Sequence, residues 1–130
     1  MDAKELRVGD WVRHIGGECM QVTNINREHF ACSRPHLWDY NNRFEPIKIS
    51  DYILRRSGCE EPVIVGFERW FIGFESKKPD SGRHIGYVLE NRFDYWALFR
   101  ENGTWICNLK YVHQLQNLVQ DLNIDFHVKL

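Results

Sequence analysis

The last amphipathic run constrains this chain most. Leu109 to Leu122, LKYVHQLQNLVQDL, places Val112, Leu115, Val119 and Leu122 at alternating steps of three and four, with Tyr111 and Leu118 beside them. That spacing predicts a helix with one apolar stripe, opened by Asn108 as cap and closed at Asn123. A helix this short is marginal alone and needs a partner surface. The runs before it, rich in Trp, Phe and Ile, supply one. The expected fold class is therefore α+β: an SH3-like N-terminal β-hairpin region plus an antiparallel sheet packed by the C-terminal helix. The opposite side of the helix carries His113, Gln114, Gln116, Asn117 and Gln120. It reads either as a solvated face or, through His113 and Asn117, as a docking surface for a protein partner.

At the other end of the chain, Trp11 to Ile15 and Glu18 to Ile25 alternate around Gly16-Gly17, a hairpin pattern. With a two-residue turn, Trp11 faces Val22 and Arg13 faces Met20. The LRVGDWV opening, Leu6 to Val12, looks like the first strands of small SH3-like barrels. His29 to Ser33 adds a third strand, and Arg34 to Phe44 then lacks any regular period. Its Arg34, His36, Trp38, Tyr40 and Arg43 suit stacking on a flat ligand or anchoring an interface. The alternative is that Leu37, Trp38 and Phe44 fold back over the end of the barrel.

Ser50 reads as the N-cap of a helix running to about Ser57, with Asp51 at its start, Arg55 and Arg56 at its end, and Gly58 closing it. Val63 to Phe67, Trp70 to Phe74 and Ile85 to Leu89 are strand candidates, with a polar turn, ESKKPDSGRH, between the last two. Asn102-Gly103 then joins Trp96 to Arg100 with Thr104 to Cys107. With those two residues as the turn, Arg100 lies opposite Trp105, Phe99 opposite Ile106 and Leu98 opposite Cys107. The tail alternates Ile124, Phe126, Val128 and Leu130 with polar residues, which predicts an edge strand. At 130 residues the chain is read as one domain, with residues 1–45 a candidate SH3-like lobe.

A formal charge of −1 disfavours binding to long nucleic acids, which draws on a net basic face. It leaves room for a small nucleotide held by an Arg pair. No leader or membrane-spanning run is recognised, and the four scattered cysteines form no C-x-x-C pair, so the reading is cytoplasmic with reduced thiols. His29-x-x-Cys32-x-x-x-His36, with Cys19 as a fourth group, is the nearest approach to a zinc site, but the reading is no metal and no cofactor. No nucleophile elbow or phosphate loop is present, so no enzyme is expected; the remaining alternative, an enzyme of unrecognised type, needs a nucleophile and base brought together by the fold.

Leu6 to Val12 (LRVGDWV), Glu45 to Gly58 (EPIKISDYILRRSG) and Leu109 to Leu118 (LKYVHQLQNL) together resemble a group of small proteins of Bacteroides-type bacteria and their phages and prophages. The chain departs from that pattern at Lys48, Ser50 and Gln120-Asp121. The resemblance implies a phage or mobile-element context and carries over neither an activity nor a binding residue. The expected function is non-catalytic binding of a host protein, with a host-defence component as the candidate. The motivating residues are the Arg34 to Arg43 loop and a sheet surface around Trp70, Trp96, Arg100 and Trp105. The rival is a nucleotide or single-stranded nucleic acid bound on an aromatic and Arg platform. A homo-oligomer formed through the tail strand is also open.

Overall fold

The computed structural model describes residues 1–32, 37–38, 41–59, 68–76 and 85–130, with the backbone alone at 37, 38 and 42. The strand expected over Val63 to Phe67 and most of the polar turn that follows β6 below lie outside the described residues. Mixed helix and antiparallel sheet make the fold α+β. Internal contacts divide it into two compact units, Met1–Lys48 with Tyr111–Asn117, and Ile49–Lys110 with Leu118–Leu130. No helix among the described residues is long and apolar enough to cross a membrane.

The first unit opens with a 3-10 turn, Ala3–Glu5, capped by the Asp2 side chain. Its strands are β1 (Trp11–His14), β2 (Cys19–Asn26), β3 (His29–Cys32), β4 (Leu37–Trp38) and β5 (Phe44–Glu45), ordered β4-β3-β2-β1-β5. Alternation in β1 and β2 sends Val12, Met20 and Val22 inward, where they join Leu6, Phe30 and Phe44. The segment expected to be an irregular loop is thus partly sheet, pairing through β4 and β5.

The first hairpin departs from the expected register. Trp11 faces Gln21 and Val12 faces Met20, one residue away from a two-residue turn. Gly17 N–H donates to His14 O at 2.7 Å and His14 N–H to Glu18 O at 2.9 Å, so the loop is Ile15-Gly16-Gly17. Only Gly17 takes a left-handed backbone, φ 97°, which is the three-residue hairpin solution. The register puts buried Val12 against buried Met20, the apolar match that a one-residue slip would forfeit.

The second unit holds α1 (Asp51–Arg56) and the antiparallel sheet β6 (Arg69–Phe74), β7 (Gly86–Asn91), β8 (Trp96–Arg100) and β9 (Trp105–Leu109), in that order. Ser50 Oγ accepts from Ile53 N–H and caps α1, as its sequence predicts. At the other end Gly58, φ 94°, lets Cys59 N–H reach Leu54 O and its own N–H reach Arg55 O. That double closure is a Schellman ending, sealed by the buried pair Leu54 and Cys59.

The Asn102-Gly103 hairpin also closes over three residues, because Gly103 N–H donates to Arg100 O and Arg100 N–H to Thr104 O. Phe99 therefore faces Trp105, not Ile106, and Arg100 does not face Trp105. A register shift next to Leu98 absorbs the extra residue, so Leu98 faces Cys107 as expected.

Helix α2 spans Val112–Asp121, three residues shorter at its start than its periodicity suggests. Asn108 and Leu109 belong to β9, so Asn108 is not the cap. Instead Gln114 Oε1 accepts from Tyr111 N–H at 3.1 Å, and Ile47 O from Val112 N–H at 2.7 Å. The helix does end at Asn123, φ 55°, with Ile124 N–H on Val119 O and Asn123 N–H on Gln120 O, a second Schellman ending. The tail keeps the predicted alternation, with Ile124 and Phe126 buried and Asp125, His127 and Lys129 exposed, but it forms no strand. One bridge, Glu75 to Ile124, and single bonds from Asp125 N–H to Phe74 O and Lys129 N–H to Ser57 Oγ hold it.

Candidate functional site

The polar side of the first half of α2 is turned to the chain's own N-terminal segment. Gln116 Oε1 accepts from Trp11 N–H at 2.8 Å and its Nε2 donates to Gly9 O at 3.1 Å. Asn117 Nδ2 donates to Glu5 O at 3.2 Å, and the Arg7 guanidinium reaches Asn117 O at 3.3 Å. His113 is 2% exposed, its ring stacked on Tyr111 and its Nε2 3.8 Å from a Glu5 carboxylate oxygen. Burial pushes His113 below the usual histidine pKa, against the raising influence of Glu5. Gln116 and Asn117 thus satisfy backbone groups of the Glu5 to Trp11 segment that its own turn bonds leave open. Of the face read from sequence as solvated or docking, His113, Gln116 and Asn117 are therefore taken up by the Glu5 to Trp11 segment, while Gln114 and Gln120 are exposed.

Asp10, 3% exposed, sits at the centre of that contact and accepts from Arg7 N–H at 2.9 Å. Burial pushes its carboxyl pKa up, while the Arg7 backbone, the Asn117 amide and the Arg7 charge pull the other way. Two of the three stretches that carry the sequence resemblance thus meet each other here.

Of the loop candidates, Arg34, His36 and Tyr40 lie outside the described residues. Trp38 is described by its backbone alone, in β4 opposite Ala31. Arg43 is exposed, and its carbonyl accepts from Ile15 N–H at 2.9 Å.

The proposed aromatic surface of the second sheet divides differently from its sequence reading. Trp70 and Trp96 are buried, with Trp96 Nε1 donating to Ile49 O at 3.2 Å and the Arg55 guanidinium 6.0 Å from the Trp70 ring. Arg100 continues the Trp96 and Leu98 face, whereas Trp105 pairs with Phe99 on the other. The two do not form one platform. On the Trp105 side, cross-strand pairing lines up Phe71, Val88, Phe99 and Trp105 across all four strands. Trp105 is 57% exposed and Phe71 37%, with Val88 and Phe99 half-buried between them. Trp105 Nε1 donates to Asn108 Oδ1 at 3.0 Å, which fixes the indole at the end of the band. Beside the band Glu90, 1% exposed, lies 3.4 Å from Arg69 Nε and 3.2 Å from Arg92 Nη2. Sequence reasoning missed Phe71, Val88 and Phe99, although each alternates with a buried neighbour, the period-two signal of a second face.

Burial pushes the Cys32 and Cys59 thiols up to about 11, where little thiolate exists near neutrality. His29 and Cys32 lie three apart on β3 and so point to opposite faces, one exposed and one buried. Among the described residues no cluster of three His, Cys, Asp or Glu side chains is placed to hold a metal ion. Compared with protein-family models, curated proteins and solved structures, the chain matches none.

Proposed function

We propose that the protein is a non-catalytic binding module whose second unit engages a host protein through the Phe71, Val88, Phe99 and Trp105 band. The observation that carries this reading is the band itself: a contiguous apolar row across a sheet face, with an indole held at its exposed end. Exposed aromatics of this kind are the usual anchors of protein interfaces. Arg69 and Arg92, exposed beside it and held by buried Glu90, supply a polar rim. The finer reading of the first unit is an SH3-like module, and its antiparallel β1–β2–β3 meander supports that. A phage or mobile-element origin, a host-defence component as partner and a cytoplasmic location rest on the sequence resemblance and composition.

Affinity capture from host lysate tests the proposal, using wild-type chain beside Trp105→Glu and Val88→Glu variants whose folding is verified by thermal unfolding. Loss of the same captured protein in both variants supports it, and undiminished capture by both sinks it. The rival reading, a nucleotide or single-stranded nucleic acid, rests on Arg34, Trp38, Tyr40 and Arg43; salt-dependent binding to oligonucleotides would favour the nucleic-acid form, and salt-tolerant binding to a small molecule the nucleotide form.

A further inference from the structure

A second surface of the same unit combines two costs. Phe93, at the tip joining β7 to β8, is 99% exposed and holds a left-handed backbone, φ 72°. That conformation suits Gly, Asn or Asp and disfavours a large side chain. The tip is nonetheless well ordered by its own bonds. Arg92 N–H donates to Tyr95 O at 2.9 Å, Asp94 N–H to Arg92 O at 3.0 Å, and Phe93 N–H to Asn91 Oδ1 at 2.9 Å. An aromatic ring is therefore held out into solvent on a strained backbone, and among the described residues no ring contact of Phe93 repays either cost. Strain at a defined position is a reason to look for function there.

A receiving surface exists on the same chain. A cleft of about 560 Å³ opens between the end of α1, β6 and the tail, walled by Cys59, Phe71, Ile72 and Phe126. Its rim carries Asp125 and Lys129, both exposed. The cleft has room for a phenyl ring; its lining is mixed, with Phe71 and Phe126 offering aromatic contacts beside the polar Ser57 and His127. The residue after Phe93 is exposed Asp94, opposite in sign to Lys129 on the rim.

We propose that the Phe93 tip docks in the Cys59, Phe71 and Phe126 cleft of a second copy of this chain, with Asp94 against Lys129. The proposed assembly is reciprocal: across a twofold axis each copy gives its tip to the other's cleft and the pair closes as a dimer, whereas a one-way contact would run head to tail. The cleft shares Phe71 with the host-protein band but uses none of Val88, Phe99 and Trp105. The Val88→Glu and Trp105→Glu variants therefore test the host-protein reading without touching the tip, and Phe93→Asn tests the tip without touching the band.

Sedimentation velocity of the full chain, from micromolar to millimolar concentration, is the test. The expected result is reversible association that Phe93→Asn weakens about tenfold or more, the scale of losing one buried phenyl ring. Asn accepts the left-handed backbone, so the variant unfolds no earlier than wild type, which separates lost docking from lost folding. Asp94→Lys and Lys129→Glu each weaken association, and the chain carrying both recovers it. A chain that stays monomeric at millimolar concentration overturns the proposal and leaves Phe93 to a partner of different sequence. Association that Phe93→Asn leaves unchanged, or that the double exchange fails to restore, overturns it equally.

Discussion

Gln116 and Gly9 are separated by 107 residues in sequence, yet the Gln116 amide donates to the Gly9 carbonyl at 3.1 Å. The same side chain accepts from Trp11 N–H, so one residue of α2 ties both ends of the Gly9-Asp10-Trp11 turn. Gln116→Ala leaves a strand N–H without its acceptor and should cost about 1–3 kcal/mol. Gln116→Glu keeps the acceptor but aims a carboxylate at the Gly9 carbonyl, and should cost no less. Urea unfolding midpoints at constant slope measure both. Wild-type midpoints would show that the contact contributes nothing.

This contact marks the limit of what the sequence makes legible. The apolar stripe of α2 is readable from Val112, Leu115 and Val119 because period reports hydrophobicity. Period cannot report that His113, Gln116 and Asn117 face the Glu5 to Trp11 segment and not water. The helix endings at Gly58 and Asn123 are readable, since few residues take a left-handed backbone cheaply. The turn lengths at Gly16-Gly17 and Asn102-Gly103 are not: a glycine pair fits a two-residue loop and the last place of a three-residue loop alike. The tail's alternation is a true record of burial, but Lys129 N–H finds Ser57 Oγ in place of a ladder partner. For the candidate surface, the sequence singles out Trp105 but not the face it shares with Phe71, Val88 and Phe99, because the bulge beside Leu98 decides which residues Trp105 joins.

The two Schellman endings predict that gaining and losing a glycine at C′ act in opposite directions. Asn123→Gly should be neutral or slightly stabilising, since φ 55° costs glycine nothing. Gly58→Ala has open space for its methyl group and still sits at φ 94°, so backbone strain alone should cost about 1–2 kcal/mol. Thermal unfolding of both variants gives the comparison. Equal stability of Gly58→Ala and wild type would show that the α1 ending relaxes freely.

The thiols should separate by burial. Cys19 is exposed, whereas Cys32 and Cys59 are buried with pKa values pushed up to about 11. Native protein treated with a thiol-specific reagent at neutral pH should label first at Cys19, with Cys32 and Cys59 reacting only after denaturation. Peptide mapping of the early adduct decides it. Early label at Cys59 would mean that the region around the α1 ending opens readily.

Stability should fall on mild acidification because of His113. Its folded pKa lies below the unfolded 6.5, so the unfolded chain takes up the proton first. The contribution is fully present above about pH 6.5 and is lost as pH drops through that value toward the lowered one. Asp10 runs the other way. Its folded pKa is raised above 3.8, so its burial weighs against folding at neutral pH and that burden lifts as pH falls toward 3.8. His113→Gln should flatten the slope of unfolding free energy between pH 7 and pH 5, even if it lowers stability throughout. An unchanged slope in that variant would show that His113 titrates alike in both states.

Gly73 is the position where backbone and packing combine against any side chain. Its φ is 142°, and a Cβ there would meet the Asp125 carbonyl oxygen at 2.9 Å. That oxygen is main chain, so the methyl group of Gly73→Ala must push the tail away from β6. The expected cost is about 2–4 kcal/mol, strain and overpacking together. The loss should be local before it is global. Asp125 N–H, bonded to Phe74 O, and Ser76 N–H, bonded to Asn123 O, should exchange with solvent much faster, while the β7 and β8 amides keep their protection. Hydrogen exchange resolved by residue separates the two outcomes. Unchanged protection at Asp125 would mean that the tail does not depend on the bare backbone at Gly73.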